Sequence, residues 1–517
     1  MQNEKISYPQ RKWCYLACSL LFCGIVAQAT IIQRTDYPEA GLIATLLLPI
    51  HYPVSKNGER QAYLRLPCRC FFTGRMTVRF ASVPFNQNQV GWPLNEIDRQ
   101  IQPQLSGDIK ADWVVIGSGY AGVSFARRLA SLNPQLNIVL IDAECAATSS
   151  SARNSGFIIG LPHNIGSSTA ELKKAQDYRA LLQEGIRLLD ETVTEHQIAC
   201  EWENVGKYHC QIDPSSEAIM QEYVDNLQLM QEPYSMLNSE ELFQKLGTRI
   251  YSKGIYTPGC ILVNPAKLIA GLARHLPDNV TVYHQTPALA INSENGGIRV
   301  TTLQGTIRAG QVMLATNALS RELSPTMTRQ ASMATYASIT APLSPEQRQR
   351  LPAMQSWGLT PVNAIAGATL RYTHDHRFLI RQHVDPALRG MITAGQTARA
   401  ARQHLALFRN AYPQLQDVPL ERTWSGTISV TRNGAPVWGE LAPKVWTAGG
   451  CNGAGVSKQT IAGTLLADLA MGQDNPLIAA MQSLGQANFM PPSPFLDVGV
   501  AGALLKERYM GRKETAM

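Results

Sequence analysis

Residues 113–142 constrain this chain more than any other stretch. Trp113-Val114-Val115-Ile116 is a short apolar run and reads as a buried parallel strand. Gly117-Ser118-Gly119-Tyr120-Ala121-Gly122 follows, which is GxGxxG. Val123 to Leu132 then carry a helical pattern, with Val123, Ala126, Leu129 and Ala130 on one face. Asn133-Pro134 ends that helix. Ile138-Val139-Leu140-Ile141 is a second strand, and Asp142 stands at its C-terminal end. Each part has a physical reason. Gly117 permits the tight turn, Gly119 lets the backbone approach a pyrophosphate, and Gly122 lets helix and sheet pack closely. The helix N-terminus supplies free N–H groups and partial positive charge for phosphates, with Tyr120 and Ala121 in its first turn. Asp142 is placed to accept hydrogen bonds from a ribose, about 25 residues past Gly117, near the ~20 usual for such sites. No second complete GxGxxG is present, which argues against a separate nicotinamide-dinucleotide domain.

The fingerprint alone does not choose between dinucleotides; the next segment does. Ser149-Ser150-Ser151-Ala152-Arg153-Asn154-Ser155-Gly156-Phe157 follows the second strand. It resembles the FAD-dependent D-amino acid oxidase superfamily, most of all the gamma-glutamylputrescine oxidase-like branch with its Ser-Gly-Arg-Asn-Gly-Gly segment. Ser151, Arg153, Asn154 and Gly156 match; Ala152 and Ser155 replace glycines. Three further stretches agree in order. Val312 to Ala318 contain Ala315-Thr316-Asn317, like the family's strand ending in Ala-Thr-Asn. Thr431 to Gly439 resemble its Thr-Pro-Asp-Gly-Leu-Pro-Val-Ile-Gly. Gly449-Gly450-Cys451-Asn452-Gly453-Ala454-Gly455-Val456 resembles its C-terminal flavin loop, with an amphipathic helix behind it to Leu469. The lead-in Gly91-Trp92 and Leu105-Ser106-Gly107-Asp108 is also family-like. The resemblance spans roughly residues 90–475.

It implies an α/β fold: a Rossmann-type FAD-binding domain with an interleaved α+β substrate domain. The chain then divides as an N-terminal extension (1–75), a lead-in arm (76–110), FAD-binding parts at 111–160, 261–318 and 426–475, substrate-domain parts at 161–260 and 319–425, and a C-terminal tail (476–517). The implied FAD contacts are Gly117, Gly119, Tyr120, Ala121, Gly122, Asp142, Ser150, Ser151, Arg153, Asn154, Gly156, Thr316, Asn317, Gly450, Asn452, Gly453, Gly455 and Val456. Hydroxyls and amides in tight loops suit a pyrophosphate. A glycine-rich turn at a helix N-terminus suits a flavin edge that gains electrons. Arg371, in Leu370-Arg371-Tyr372-Thr373-His374-Asp375-His376-Arg377, resembles the family's Arg…Asp-Gly-Arg hairpin and is the expected substrate contact. An ion pair of Arg371 or Arg377 with Asp375 competes as its role. His163 could reach the flavin face.

The implied reaction is oxidation of a C–N bond of a small amine or amino acid. Hydride passes to flavin, water hydrolyses the imine, and oxygen yields hydrogen peroxide. No catalytic acid–base residue is needed, and none is assigned. Alternatives are a dehydrogenase serving a quinone or carrier, a tRNA-modifying flavoenzyme, and a non-catalytic flavin-binding protein. His374 and His376 could share a strand face for one ion, but no third ligand is identifiable, so no metal is expected.

Charge and cysteine need dividing before use. The formal net charge is +7, but residues 1–75 carry nine Lys/Arg against four Asp/Glu, and five of the ten Cys. The body is close to neutral, which gives little support to a nucleic-acid partner. It has no CxxC. Within the first segment, residues 13–27 form an apolar run behind Arg11-Lys12, with Ala27-Gln28-Ala29 like a cleavage site. That is the shape of a secretory signal peptide. The competing expectation, which we favour, is translation from Met76 and a cytoplasmic enzyme. The alternative is export or membrane anchorage through residues 13–32.

Overall fold

The structure is a computed structural model. It describes residues 15–22, 25–32, 77–79, 88–161, 175–294, 296–317, 319, 329–387, 392–492 and 494–515. The chain divides into two compact units, Met1–Arg75 and Met76–Met517. In the first, Tyr15–Phe22 and Ile25–Ile32 pair antiparallel, from Tyr15↔Ile32 to Phe22↔Ile25. The first of these strands and the start of the second fall within the apolar run 13–27. No helix among the described residues is long and apolar enough to cross a membrane.

The second unit contains a nine-stranded sheet. Ile109–Ile116, Ile138–Ile141 and Val280–Tyr283 run parallel, and Thr306–Leu314 joins in parallel on the other side of Ile109–Ile116. Thr306–Leu314 forks the sheet. Its last residues pair in parallel with Val445–Gly449, while its first pair antiparallel with Gly297–Thr301. Val114, Val115 and all of Ile138–Ile141 are buried, as expected of strands covered on both faces. The helix Tyr120–Leu132 buries Val123, Ala126, Leu129 and Ala130, and also Phe125. Gly117 has φ +111°, and a Cβ on Gly122 would stand 1.9 Å from the Gly117 carbonyl oxygen. No other residue type fits that turn. The helix Gly455–Ala470 packs beside Tyr120–Leu132 and is buried on nearly every side.

The two long insertions meet in one eight-stranded roof. Leu420–Val430, Ala331–Thr340, Phe378–Pro386, Thr369–Tyr372 and Trp357–Pro361 are successive antiparallel neighbours. Trp357–Pro361 then pairs in parallel with Lys207–Gln211, joining the second insertion to the first. The strand Leu420–Val430 runs across residue 426, so one strand serves both roof and nucleotide side. A capping box of Asn238 and Glu241 starts the helix Ser239–Leu246.

The segment read as a tail is structured. Pro476–Ser483 and Phe495–Met510 are helices. Leu504 packs with Ile365 and Val384 of the roof, and Arg508 Nη2 reaches Asp385 Oδ1 at 2.6 Å. The Glu514 carboxylate accepts from the amides of Ile212 and Asp213 at 2.8 and 3.1 Å. The tail is a strap across the roof.

Candidate active site

A long cavity runs between the nucleotide sheet and the roof, with about 2080 Å³ of empty space including that open to solvent. Its lining begins at Gly117, Gly119, Tyr120, Ala121, Asp142 and Glu144, and continues past Ser150, Ser151, Arg153 and Asn154. Thr316 and Asn317 contribute on one side, and Cys451 with Gly453 to Val456 on another.

Two helices point their N-termini at this space. Tyr120–Leu132 starts after Gly119 and Gly455–Ala470 after Ala454, and neither has a side-chain cap. Their first amides are therefore left for another acceptor. Gly119 and Gly455 both line the cavity, and a Cβ on Gly119 would lie 2.7 Å from Ser151 Oγ. This donor set fits a diphosphate at one end and an electron-accepting carbonyl edge at the other. Asp142 Oδ2 accepts from Ser118 N and Oγ at 2.6 and 2.7 Å, and its Oδ1 from Glu144 N at 2.8 Å. It thereby fixes the glycine turn while lining the cavity. Burial pushes the Tyr120 phenol up, so it stays neutral.

The loop after the second strand is tied from several sides. Arg153 Nε donates to Thr148 O at 2.7 Å and Nη1 to Ser425 O at 3.0 Å. Burial pulls this guanidinium down to about 10. Ser150 Oγ meets Thr427 Oγ1 at 3.0 Å. Asn154 folds on itself, donating to Ser151 O at 2.6 Å and accepting from Gly156 N at 2.8 Å. Asn317, at φ +43°, accepts from Ser429 Oγ at 2.7 Å.

Four of the sequence-predicted contacts lie outside the lining. Gly122 and Gly156 are occupied with close packing of the chain. Gly450, at φ +73°, turns the loop. Asn452 is wholly buried; its Oδ1 accepts from Thr431 N at 2.8 Å and its Nδ2 donates to Gly434 O at 2.6 Å. These residues shape the loops whose other members face the cavity. His163 lies outside the described residues.

Arg371 is placed differently from its expectation. It is 0% exposed and absent from the cavity wall. Its Nη1 donates to Val263 O at 2.5 Å and Ser155 O at 3.4 Å, its Nη2 lies 4.0 Å from Glu203, and Trp92 covers it. Ser155 and Gly156 come between it and the cavity, so it backs the loop. Nor does it pair with Asp375, which Arg377 holds at 2.8 Å. His376 is engaged by Arg348 and Tyr372 at 2.8 and 3.0 Å, while His374 faces Glu201 at 3.5 Å. The two histidines are thus turned to different partners, and no group of three or more His, Cys, Asp or Glu placed to hold a metal ion is found among the described residues.

Besides Arg153, which is tied to two backbone carbonyls, the wall carries a second cation, Arg381, with Thr335, Tyr336, Thr360, Thr369 and Gln459. Arg381 Nη1 donates to Ala364 O at 3.0 Å, and burial alone pulls it down to about 10. The sequence reading missed it. The available signal was a lone Arg within the apolar strand Phe378-Leu379-Ile380-Arg381. Tyr336 is held by Asp385, to which its hydroxyl donates at 3.0 Å. Cys451 lines the cavity as a free thiol beside Ser429.

Comparison with known proteins agrees with this arrangement. The sequence signature of the FAD dependent oxidoreductase family, DAO, matches residues 112–469. The chain is similar to the probable oxidoreductase OrdL of Rhizobium meliloti (strain 1021), at 27% identity over 74% of this chain and 87% of that one. It is similar to the gamma-glutamylputrescine oxidoreductase of Escherichia coli (strain K12), at 22% identity over 71% and 85%. Its fold is similar to that of glycine oxidase from Geobacillus kaustophilus, with TM-score 0.59 and 19% identity, over 71% of this chain and 96% of that one. With its paired helix N-termini, its roof and that signature over most of its length, the chain belongs to the DAO family of FAD-dependent oxidoreductases, and its cofactor is FAD.

Proposed function

We propose that the protein oxidises the C–N bond of a small amine or amino acid that carries a carboxylate. The observation that carries this reading is Arg381, a cation on the cavity wall with one backbone acceptor and burial as the cause of its lowered pKa. A guanidinium so placed gains most from a bidentate carboxylate. FAD, when bound, supplies the two-electron acceptor. The chain's own groups would hold and orient it: the amides after Gly119 and the hydroxyls of Ser150 and Ser151 would take the diphosphate, Asp142 and Glu144 the ribose, and the amides of Gly453, Gly455 and Val456 the ring edge. Arg381 fixes the carboxylate, Tyr336 and Thr360 border the substrate, and the roof excludes water. The substrate's amine must be neutral when its C–H bond breaks. The imine product leaves and is hydrolysed.

Oxygen is the proposed acceptor, with peroxide as its product. An anaerobic screen of amines, gamma-glutamylated amines and amino acids, read by loss of flavin absorbance, tests the substrate class. Bleaching by amines lacking a carboxylate, with none by their carboxylated counterparts, overturns it. Bleaching that air does not reverse, but a quinone does, assigns a dehydrogenase instead. The same reading places translation at Met76 and the enzyme in the cytoplasm; a native N-terminus upstream of residue 76 would contradict it.

A further inference from the structure

The helix Phe495–Met510 has two unlike faces. Leu496, Val500 and Leu504 recur every four residues and pack on the roof with Ala331, Ile365 and Val384. The opposite face is largely open, with the Arg512 guanidinium 4.3 Å from the centre of its Tyr509 ring. Phe495, Val498, Leu505 and Tyr509 are 73%, 72%, 69% and 67% exposed. Gly499, Ala501, Gly502 and Ala503 between them are exposed too, so the outward surface is apolar over about four turns, with Lys506 as its one charge. Phe489 and Met510 extend it at the ends. A patch of this size on a single helix calls for an occupant.

The charges around it identify one. Lys506, Arg512 and Lys513 are exposed, Lys513 lying 3.5 Å from the half-buried Asp213, whereas Asp497 and Glu507 are half-buried and Glu514 is buried against backbone amides. Arg399 and Arg508 both pair with the single carboxylate of Asp385, at 2.8 and 2.6 Å. Arg402 is exposed one turn beyond Arg399. The rim is therefore cationic. An anionic surface gains from both the rim and the apolar face. The aromatic rings of Phe495 and Tyr509 stand at the two ends of the helix, where interfacial anchors act.

We propose that Phe495–Met510 lies flat on an anionic lipid bilayer, its outward face in the headgroup boundary and the basic rim on the phosphates. The helix does not span; its other face is held by the roof.

Vesicle flotation of the FAD-loaded full chain tests this. One set of vesicles is phosphatidylcholine alone, the other contains one third phosphatidylglycerol. The protein is expected to float with the anionic vesicles, to stay down with the neutral ones, and to be released by high salt. Val498→Glu with Leu505→Glu should keep FAD and fold, since both sites are exposed, and lower flotation about tenfold or more. Lys506→Glu with Arg512→Glu should abolish the preference for anionic vesicles. Flotation unaffected by the Val498/Leu505 pair overturns the proposal. So does a lipid-free dimer that this pair dissociates, which would assign the face to a second copy.

Discussion

Trp92 and Trp424 donate their indole N–H groups to the carbonyls of two adjacent residues, Asn154 and Arg153, each at 3.0 Å. Their rings meet edge to face with centroids 6.4 Å apart. The pair clamps the loop that lines the middle of the cavity from behind, one indole coming from the lead-in arm and the other from the roof. Trp92→Phe keeps an aromatic edge but leaves the Asn154 carbonyl without its donor. The holoenzyme should lose about 1–3 kcal/mol of stability, and FAD should bind more weakly. Thermal unfolding with and without added FAD, and FAD titration of the stripped protein, measure both.

Arg381 lines the cavity from the roof strand Phe378–Pro386. Arg381→Met should raise KM for carboxylate-bearing substrates about tenfold to hundredfold and change kcat less. Arg381→Lys should recover part of the loss. Steady-state kinetics with a carboxylated amine and its decarboxylated analogue, on the same preparations, separate recognition from damage to the fold.

Arg371 makes the opposite prediction. It is buried against Val263 O and under Trp92, outside the cavity wall. Arg371→Met should lower the unfolding free energy by about 1–3 kcal/mol, from the buried carbonyl left unpaired. The KM of the surviving enzyme should be unchanged. A large KM effect without a change in melting temperature would return Arg371 to the substrate.

His404 is buried between Ser338 Oγ, 2.7 Å from its Nδ1, and Gln382 O, 3.3 Å from its Nε2. Burial pulls its pKa down to about 3. An unfolded chain takes up that proton near pH 6.5. Stability is therefore complete above about pH 6.5 and falls as pH drops toward 3, because the unfolded state binds the proton first. His383, pulled down to about 4 by burial, adds to the same slope. Urea midpoints measured from pH 7.5 to 4.5 should decline steadily in this protein, and less steeply in His404→Asn.

Local signals were legible because local geometry enforces them. Gly117, Gly119 and Gly122 answer to a turn and a close approach within a few residues, and Asp142 to the end of the next strand. Asn452 was a different matter. It stands in a glycine loop like its neighbours, yet its side chain is turned to Thr431 and Gly434. Composition could not separate a residue that lines a loop's concave side from one that pins it from outside. The C-terminal strap was read as a tail for a related reason. Its inward face is only Leu496, Val500 and Leu504, and its outward face is equally apolar, so no amphipathic period marks it.

The sequence by itself determined the nucleotide-binding fold and, through its resemblance, the FAD class. Those depend on backbone conformations and helix termini that a short motif specifies. Only the tertiary structure decided which arginine faces the substrate space. Arg371 and Arg381 are cross-strand neighbours by one step: Arg371 pairs with Leu379 and Thr369 with Arg381. Ser155 and Gly156, from a loop more than 200 residues earlier in the chain, cover the first and leave the second open. A burial decided by so distant a segment is set by packing, and no local pattern along the strand encodes it.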